Sequence, residues 1–556
     1  MNLAHFLSDQ AAAQPDAPAL VEGSGRRTRS VTFAELARRT ETGAAWLRIQ
    51  GLRRGDAVLL FAPMSIPLYE ALLALWHGGL TAVVVDPATG RAGLERCCRR
   101  LRPAGLVAVP HAHWLRLLSP ALRRVRFKCV IDGWAPRALP WPAPTGDDVG
   151  LRAEELSPET PALITFTSGS TGEPKAAVRT HGLLVAQYHA LRANLGLAPG
   201  QVDLATLPIF ALASLAAGNT VVLADADLRI PGAIDPGPVL RQISGHGVTR
   251  CTAAPAFLER LLDADEARGR TRDRLTHVCT GGGPVFPRLL ARLERWAPHA
   301  RVSGVYGSTE AEPIAQLAAG DLGDDDRRQM RRGRGVPAGR PVTQTSLEIV
   351  TTRPDTRLAD LTAAEFATLK APAGEAGEIV VAGAHVLPGY LDGVGDAEAR
   401  FTVAGRPWHR TGDAGRRDES GRLWLLGRCR ARVGDQRGEL YPLAVEGAAS
   451  EMPGVRRTAL ASLEGQRVLV VELAAGADRG CLARLRTSLA WAQLDEIRAV
   501  TELPMDRRHN SKVDYPRLAR ILRSAGASPV RPGSPGTPTP ASAAPRSAGL
   551  PRARPG

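Results

Sequence analysis

Cysteine is scarce in this chain: seven residues, at positions 97, 98, 129, 251, 279, 429 and 481, among 556. The number is odd, no two stand at a metal-ligand spacing, and Cys97 and Cys98 are adjacent. That excludes a disulfide scaffold or a zinc ribbon and fits reduced, mostly buried thiols in a cytosolic protein. Long hydrophobic runs are also missing. The longest apolar stretch, residues 58–85, is broken by Pro63, Pro67, Glu70 and His77, so no membrane span is expected. The first ten residues lack a basic segment followed by an apolar core, so no signal peptide is expected and the location is read as cytoplasmic. Acidic residues are outnumbered, 56 against 71 basic, for a net charge of +15. The arginines are scattered and no groove-reading motif accompanies them, so nucleic acid is not expected as a partner. Residues 528–556 contain no acid at all, only Pro, Ser, Ala, Gly and Arg with a few others. Such a composition cannot bury enough surface to fold, and residues 526–556 are expected to form a disordered tail.

What is present suits a large folded body. The length allows two or more domains, and 44% of residues are hydrophobic. Strand-like and helical runs alternate, which implies a parallel sheet covered by helices. Thr32 with Glu35 reads as an N-cap and capping box. Strands are expected at 56–61, 81–85, 161–166, 202–210, 218–223, 248–252 and 276–280. Helices are expected at 69–77, 181–195 and 238–246. The charged, glycine-containing run 318–339 reads as a mobile surface loop.

The most informative string is Thr165-Phe166-Thr167-Ser168-Gly169-Ser170-Thr171-Gly172-Glu173-Pro174-Lys175. Its two glycines permit a tight turn whose amides approach an anion, its hydroxyls donate, and Lys175 adds a compact charge. The lysine spacing is not that of the Walker loop. The string resembles the phosphate loop of the adenylate-forming superfamily, which includes acyl-CoA synthetases, peptide-synthetase adenylation domains and luciferases. Ala176 stands where that family usually has Gly.

Further segments follow in the family's order. The turn Gly281-Gly282-Gly283 ends a strand, where glycines let a flat base approach the backbone. In Val305-Tyr306-Gly307-Ser308-Thr309-Glu310 the ring of Tyr306 suits adenine, Thr309 the α-phosphate and Glu310 a magnesium ion. The resemblance implies ATP and Mg²⁺ as cofactors, with Thr171 and Glu310 as metal ligands and Thr167, Ser168, Gly169, Ser170, Thr171 and Gly172 around the phosphates. It also implies that Asp413, in Trp408-His409-Arg410-Thr411-Gly412-Asp413, accepts the ribose hydroxyls, and that Arg428 lies near ribose and phosphate. Lys512, in Arg508-His509-Asn510-Ser511-Lys512, matches the lysine that stabilises charge in the adenylation step. Lys175, Thr309, Glu310 and Lys512 are thereby the implied catalytic residues.

The implied fold is α/β, with a large N-terminal domain of parallel and mixed sheets covered by helices (1–427), a hinge (428–432) and a small, mobile α+β C-terminal domain (433–525). Arg430 occupies the hinge position usually held by Asp or Lys. Residues 433–441 depart from the family's Gly-containing pantetheine-channel loop, which puts CoA use in question. Together with 207–211 and 508–512, this loop resembles the olefin β-lactone synthetases. The implied reaction is adenylation of a long-chain β-hydroxy acid followed by ring closure to a β-lactone with loss of AMP. A fatty acyl-CoA or acyl-carrier ligase using the same acyl-AMP stands as the alternative, and a non-catalytic nucleotide-binding regulator as a third reading. Ala211 replaces the Asp that holds the α-amine in peptide-synthetase domains, which disfavours amino acids. The apolar run 210–218 suits an alkyl chain, and reads equally as a core helix. The resemblance further implies thiolase-like, reductase and α/β-hydrolase partners in a hydrocarbon pathway.

Overall fold

A computed structural model describes residues 1–86, 89–143, 151–167, 175–351, 356–478, 480–506 and 511–525. Of the residues singled out above, 168–174, 508–510 and the tail from 526 lie outside the described residues.

The body is built on two large sheets. One has seven strands in the order Leu139–Pro140, Phe127–Val130, Gly105–Ala108, Ala57–Phe61, Thr81–Val85, Pro161–Thr167, Lys175–Thr180. All its neighbours are parallel except the last pair, which is antiparallel and flanks residues 168–174. Parallel strands covered on both faces read as continuous apolar runs, as in Ala57-Val58-Leu59-Leu60-Phe61. The second sheet changes character along its width. Strands Pro18–Glu22, Thr220–Leu223, Val202–Ala205, Arg250–Ala253, His277–Gly281 and Arg301–Ser308 are successive parallel neighbours. Beyond Arg301–Ser308 the sheet turns antiparallel, through Ala311–Ala318, Val336–Pro341, Leu423–Arg428 and Arg406–Arg417. The small C-terminal domain has its own three-stranded sheet, Val455–Leu463, Gln466–Leu473 and Glu496–Val500, with a two-stranded hairpin at Val433–Asp435 and Gly438–Leu440. This is the expected α/β class with a large and a small domain.

Most local expectations hold. Thr32 caps the Phe33–Ile49 helix, its hydroxyl accepting from the Glu35 amide at 3.2 Å. The Glu35 carboxylate turns to Arg39 instead of back to the cap. The helix expected at 69–77 begins earlier, at Ile66, because Ser65 caps it and Pro67 occupies its first turn.

Two expectations are corrected. The strand at 202–210 stops at Ala205, and Pro208–Ala216 is a helix with Pro in the first turn. Proline cannot extend the ladder but is pre-shaped to start a helix. The run 318–339 is not a mobile loop: it holds a helix, Asp324–Arg331, and a strand, Val336–Pro341. Three aspartates stand at the positive end of that helix and Arg328 and Arg331 at the negative end. Asp326 accepts from the Gly323 amide at 3.0 Å and is paired with Arg422 at 2.6 Å, so charge that read as solvated is structural.

Candidate active site

The parallel half of the second sheet delivers the turn 281–283 and Tyr306 to neighbouring strand ends, Gly281 lying opposite Val305. Carboxyl ends of parallel strands are where open α/β sheets bind ligands. The antiparallel half brings Asp413 and Arg428 to the same place as directly opposed partners. The Tyr306 hydroxyl donates to Asp413 Oδ2 at 2.8 Å, and Arg428 Nε lies 3.2 Å from Asp413 Oδ1. Arg428 also donates to the Thr411 carbonyl at 2.9 Å, while the Asp413 amide donates to the Thr411 hydroxyl at 3.0 Å. One carboxylate is thus held by an aromatic hydroxyl and a guanidinium, with its backbone fixed. This pole joins Gly281, Gly282, Gly283, Tyr306, Asp413 and Arg428, six of the residues singled out from the sequence.

A second pole forms around Glu310, at the turn after Arg301–Ser308. The Tyr390 hydroxyl donates to Glu310 Oε1 at 2.7 Å. Lys175 Nζ lies 5.3 Å from the centre of the Tyr390 ring and donates to the Gly395 carbonyl at 3.4 Å. The Arg400 guanidinium lies 5.7 Å from the same ring. Arg179 donates to the Thr309 carbonyl at 2.9 Å and so fixes the turn that carries Thr309 and Glu310. Burial works against charge on Glu310, but His409, the Tyr390 hydroxyl and Arg179 outweigh it and hold the carboxyl below its usual range. Burial, reinforced by Arg400, pushes His409 down to about 4, so its ring is neutral near pH 7. Burial and the Glu310 charge push the Tyr390 hydroxyl far up, which keeps it a donor.

Tyr390, Arg179, Arg400 and His409 had no role in the sequence reading. His409 sits inside the quoted segment 408–413, and Tyr390 follows Gly389, but neither spacing announces a site. Only the fold brings them to Glu310. Among the described residues no group of three or more His, Cys, Asp or Glu could hold a metal. Glu310, ionised and anchored on one oxygen, fits a magnesium ion that takes its other ligands from phosphates and water.

Lys512 belongs to the small domain, and its loop touches the first pole through Ser511. Its amide donates to Asp506 Oδ1 at 2.9 Å, its carbonyl accepts from the Asp506 amide at 2.7 Å, and Met505 bridges Val513. The neighbouring Ser511 lies directly on Gly283: a β-carbon there would stand 2.5 Å from Ser511 Cβ. Only glycine allows this approach, so the turn 281–283 and the loop of Lys512 fit each other. Thr167 ends the strand Pro161–Thr167, and Ser168, Gly169, Ser170, Thr171 and Gly172 lie outside the described residues.

The helix Pro208–Ala216 has no ionisable side chain, and Phe210 and Ala211 are buried in it. The buried carboxyl against it, Asp203, is engaged by the hydroxyls of Ser214 and Thr252 and faces the charge of Arg250. All seven cysteines are free and buried, and no helix of the described residues is long and apolar enough to cross a membrane.

Residues 7–391 match the AMP-binding enzyme family. The chain is 32% identical to an olefin beta-lactone synthetase of Stenotrophomonas maltophilia over 546 residues, covering 93% of this chain and 97% of that one. It is 30% identical to an olefin beta-lactone synthetase of Xanthomonas campestris pv. campestris over 551 residues, with the same coverage. The fold is similar to that of an amide bond synthetase from Marinactinospora thermotolerans, with a TM-score of 0.77, 24% identity, and 94% of this chain and 99% of that chain covered.

Proposed function

The chain belongs to the AMP-binding enzymes, a family of adenylating ligases, and from that premise we propose that it adenylates a long-chain β-hydroxy acid and closes the product to a β-lactone. The observation that carries this reading is similarity over nearly the whole chain, small domain included, to two olefin beta-lactone synthetases.

In the first step a carboxylate oxygen attacks the α-phosphorus of ATP and the bond to pyrophosphate breaks. The protein supplies position and charge. Asp413 receives the ribose hydroxyls, with Tyr306 and Arg428 fixing it, and the turn Gly281-Gly282-Gly283 lies along the base. Lys175, Lys512, Thr309 and the donors of the segment 167–172 would stabilise the charge that spreads over the phosphates. A magnesium ion, held by Glu310 and Thr171, would screen the triphosphate and the departing pyrophosphate. In the second step the substrate's own β-hydroxyl oxygen attacks the acyl carbon, its proton passes to water, and AMP leaves. The ring strain is offset by the reactive acyl–phosphate bond, and the internal nucleophile gains from proximity.

Three local features support an alkyl substrate and an internal acceptor. Ala211 offers no carboxylate for an amine. The helix 208–216 is apolar. The segment that would wall a pantetheine channel is a short hairpin, with Asp435 clamped by Arg467 at 2.7 and 2.9 Å and by Arg437 at 2.6 Å. The pathway around such an enzyme would contain a thiolase-like condensing enzyme and a reductase that supply the β-hydroxy acid, and a decarboxylating hydrolase that consumes the lactone. The free thiols fit a cytoplasmic setting. Incubation with ATP, Mg²⁺ and a β-hydroxy fatty acid, followed by NMR of the product, tests the reading. Four-membered-ring resonances with one AMP per product support it; an open-chain thioester formed on adding CoA replaces it with an acyl-CoA ligase.

A further inference from the structure

The small domain rests on the body at more places than the Lys512 loop. Arg288, on the body helix Pro287–Trp296, donates to three carbonyls of the small domain: Val455 at 2.8 Å, Arg456 at 2.5 Å and Ser450 at 3.4 Å. Ser450 ends the helix Pro442–Ser450, so the guanidinium caps the negative end of that helix. Trp491 donates from its indole to the Arg331 carbonyl at 3.0 Å, and its ring lies across Gly333 so closely that a β-carbon there would stand 2.1 Å away. Arg327 pairs with Glu451 at 3.3 Å.

The helix Pro442–Ser450 is buried on two sides at once. Val445, Ala448 and Ala449 join the core of the small domain. Ala444 packs with Leu426, Ala414 and Cys429 of the preceding segment, and Gly447 meets Val336 of the body. Its composition of small residues is what permits close approach from both directions. A rotation of the small domain would separate Gly447 from Val336, lift Trp491 off Gly333 and strip Arg288 of three acceptors together.

We propose that the small domain keeps this one posture through both chemical steps, with Arg288 and Trp491 as positioning residues that seat the loop of Ser511 and Lys512 against the turn 281–283. The proposal rests on the β-lactone reading. A thiol acceptor must enter after adenylation, which calls for a second posture. An internal hydroxyl is already at the acyl carbon, so nothing has to open between the steps.

The test is a covalent tether across the interface. The seven native thiols are all buried, so Arg327→Cys with Glu451→Cys gives a pair that a short bismaleimide can link selectively. Each step is measured before and after linking: carboxylate-dependent pyrophosphate exchange for the first, AMP release from a β-hydroxy fatty acid for the second. Linked protein is expected to keep both rates within about twofold of the unlinked double variant. Exchange retained with AMP release lost would overturn the proposal, because the domain must then move. Loss of exchange on linking would overturn it as well, because the captured posture would not be the adenylating one. If the unlinked protein exchanges pyrophosphate with no carboxylate, adenylation itself fails; if it yields acyl thioester with CoA, the lactone reading fails. A second variant keeps the question open to refutation. Arg288→Met should lower kcat for exchange and for AMP release together by about tenfold, with KM for ATP unchanged, and Arg288→Lys should recover part of the loss. A fall in exchange with AMP release unchanged or faster would mark an alternating domain instead.

Discussion

The body and the small domain contribute to the site in opposite ways. The body supplies many groups, each held by another: Asp413 by Tyr306 and Arg428, Glu310 by Tyr390, the Thr309 turn by Arg179. The small domain supplies one exposed lysine, whose loop is tied to Asp506 and leans on Gly283. Buried histidines of the body and a buried carboxyl of the small domain shift in opposite directions. In the body, burial pushes His77, His181 and His409 down to about 4 and pushes the Glu70 and Asp203 carboxyls up. In the small domain, burial pushes the Glu446 carboxyl up to about 7, where it accepts from the Tyr515 hydroxyl at 2.6 Å and the Leu460 amide at 3.0 Å. The groups at both poles are thus held within the body, and the small domain adds a lysine from a loop of its own.

The largest effect should come from removing that charge. Lys512→Ala is expected to slow pyrophosphate exchange by on the order of 10²-fold or more. Exchange at the parent rate would remove Lys512 from the chemistry. Glu310→Gln tests the body side and should cost a similar factor, with a raised Mg²⁺ requirement; a normal magnesium titration would contradict its assigned role. Gly283→Ala tests the junction. The added methyl displaces Ser511, and exchange should fall by about tenfold while nucleotide affinity holds; unchanged kcat would show that the lysine loop does not depend on this contact.

The pH response should be smaller, with the body histidines and Glu446 contributing with opposite sign. The body histidines have folded pKa values below the unfolded one, so the unfolded chain takes up protons first. Their contribution is present above about 6.5 and is lost as pH falls toward 4. Glu446 has a folded pKa above the unfolded one, so its contribution is present in acid and is lost as pH rises through about 7. Between pH 7.5 and 5, body melting should drop by about 5 °C or more while small-domain protection from hydrogen exchange improves. Parallel shifts in both regions would dissolve the contrast.

Much of the site was legible because its parts are short strings with a chemical reason for each residue. Thr309-Glu310, Asp413 and Arg428 were placed by motif, and the fold brings Asp413 and Arg428 into register. One further signal lay in the composition. The chain has only four lysines, at 128, 175, 370 and 512, among 71 basic residues, and two of them are the pair assigned to the phosphates. The cluster around Tyr390 was not legible, because Arg179, Tyr390, Arg400 and His409 come from separate segments that meet only across the sheet. The 324–331 helix was misread because a run of charges was taken for solvent contact, whereas Asp326 and Arg422 pair across 96 residues. The 208–216 helix was half missed because a fully apolar run carries no period to tell helix from strand.

The central claim is that the acceptor for the acyl group is the substrate's own hydroxyl. AMP release measured on a β-hydroxy fatty acid and on the matched fatty acid without the hydroxyl, each with and without CoA, tests it directly. The β-hydroxy acid should turn over repeatedly at a rate that CoA does not change, and the plain acid should stop at bound acyl-AMP or release AMP only slowly. Strong acceleration of both substrates by CoA, with acyl thioester accumulating, would contradict the account.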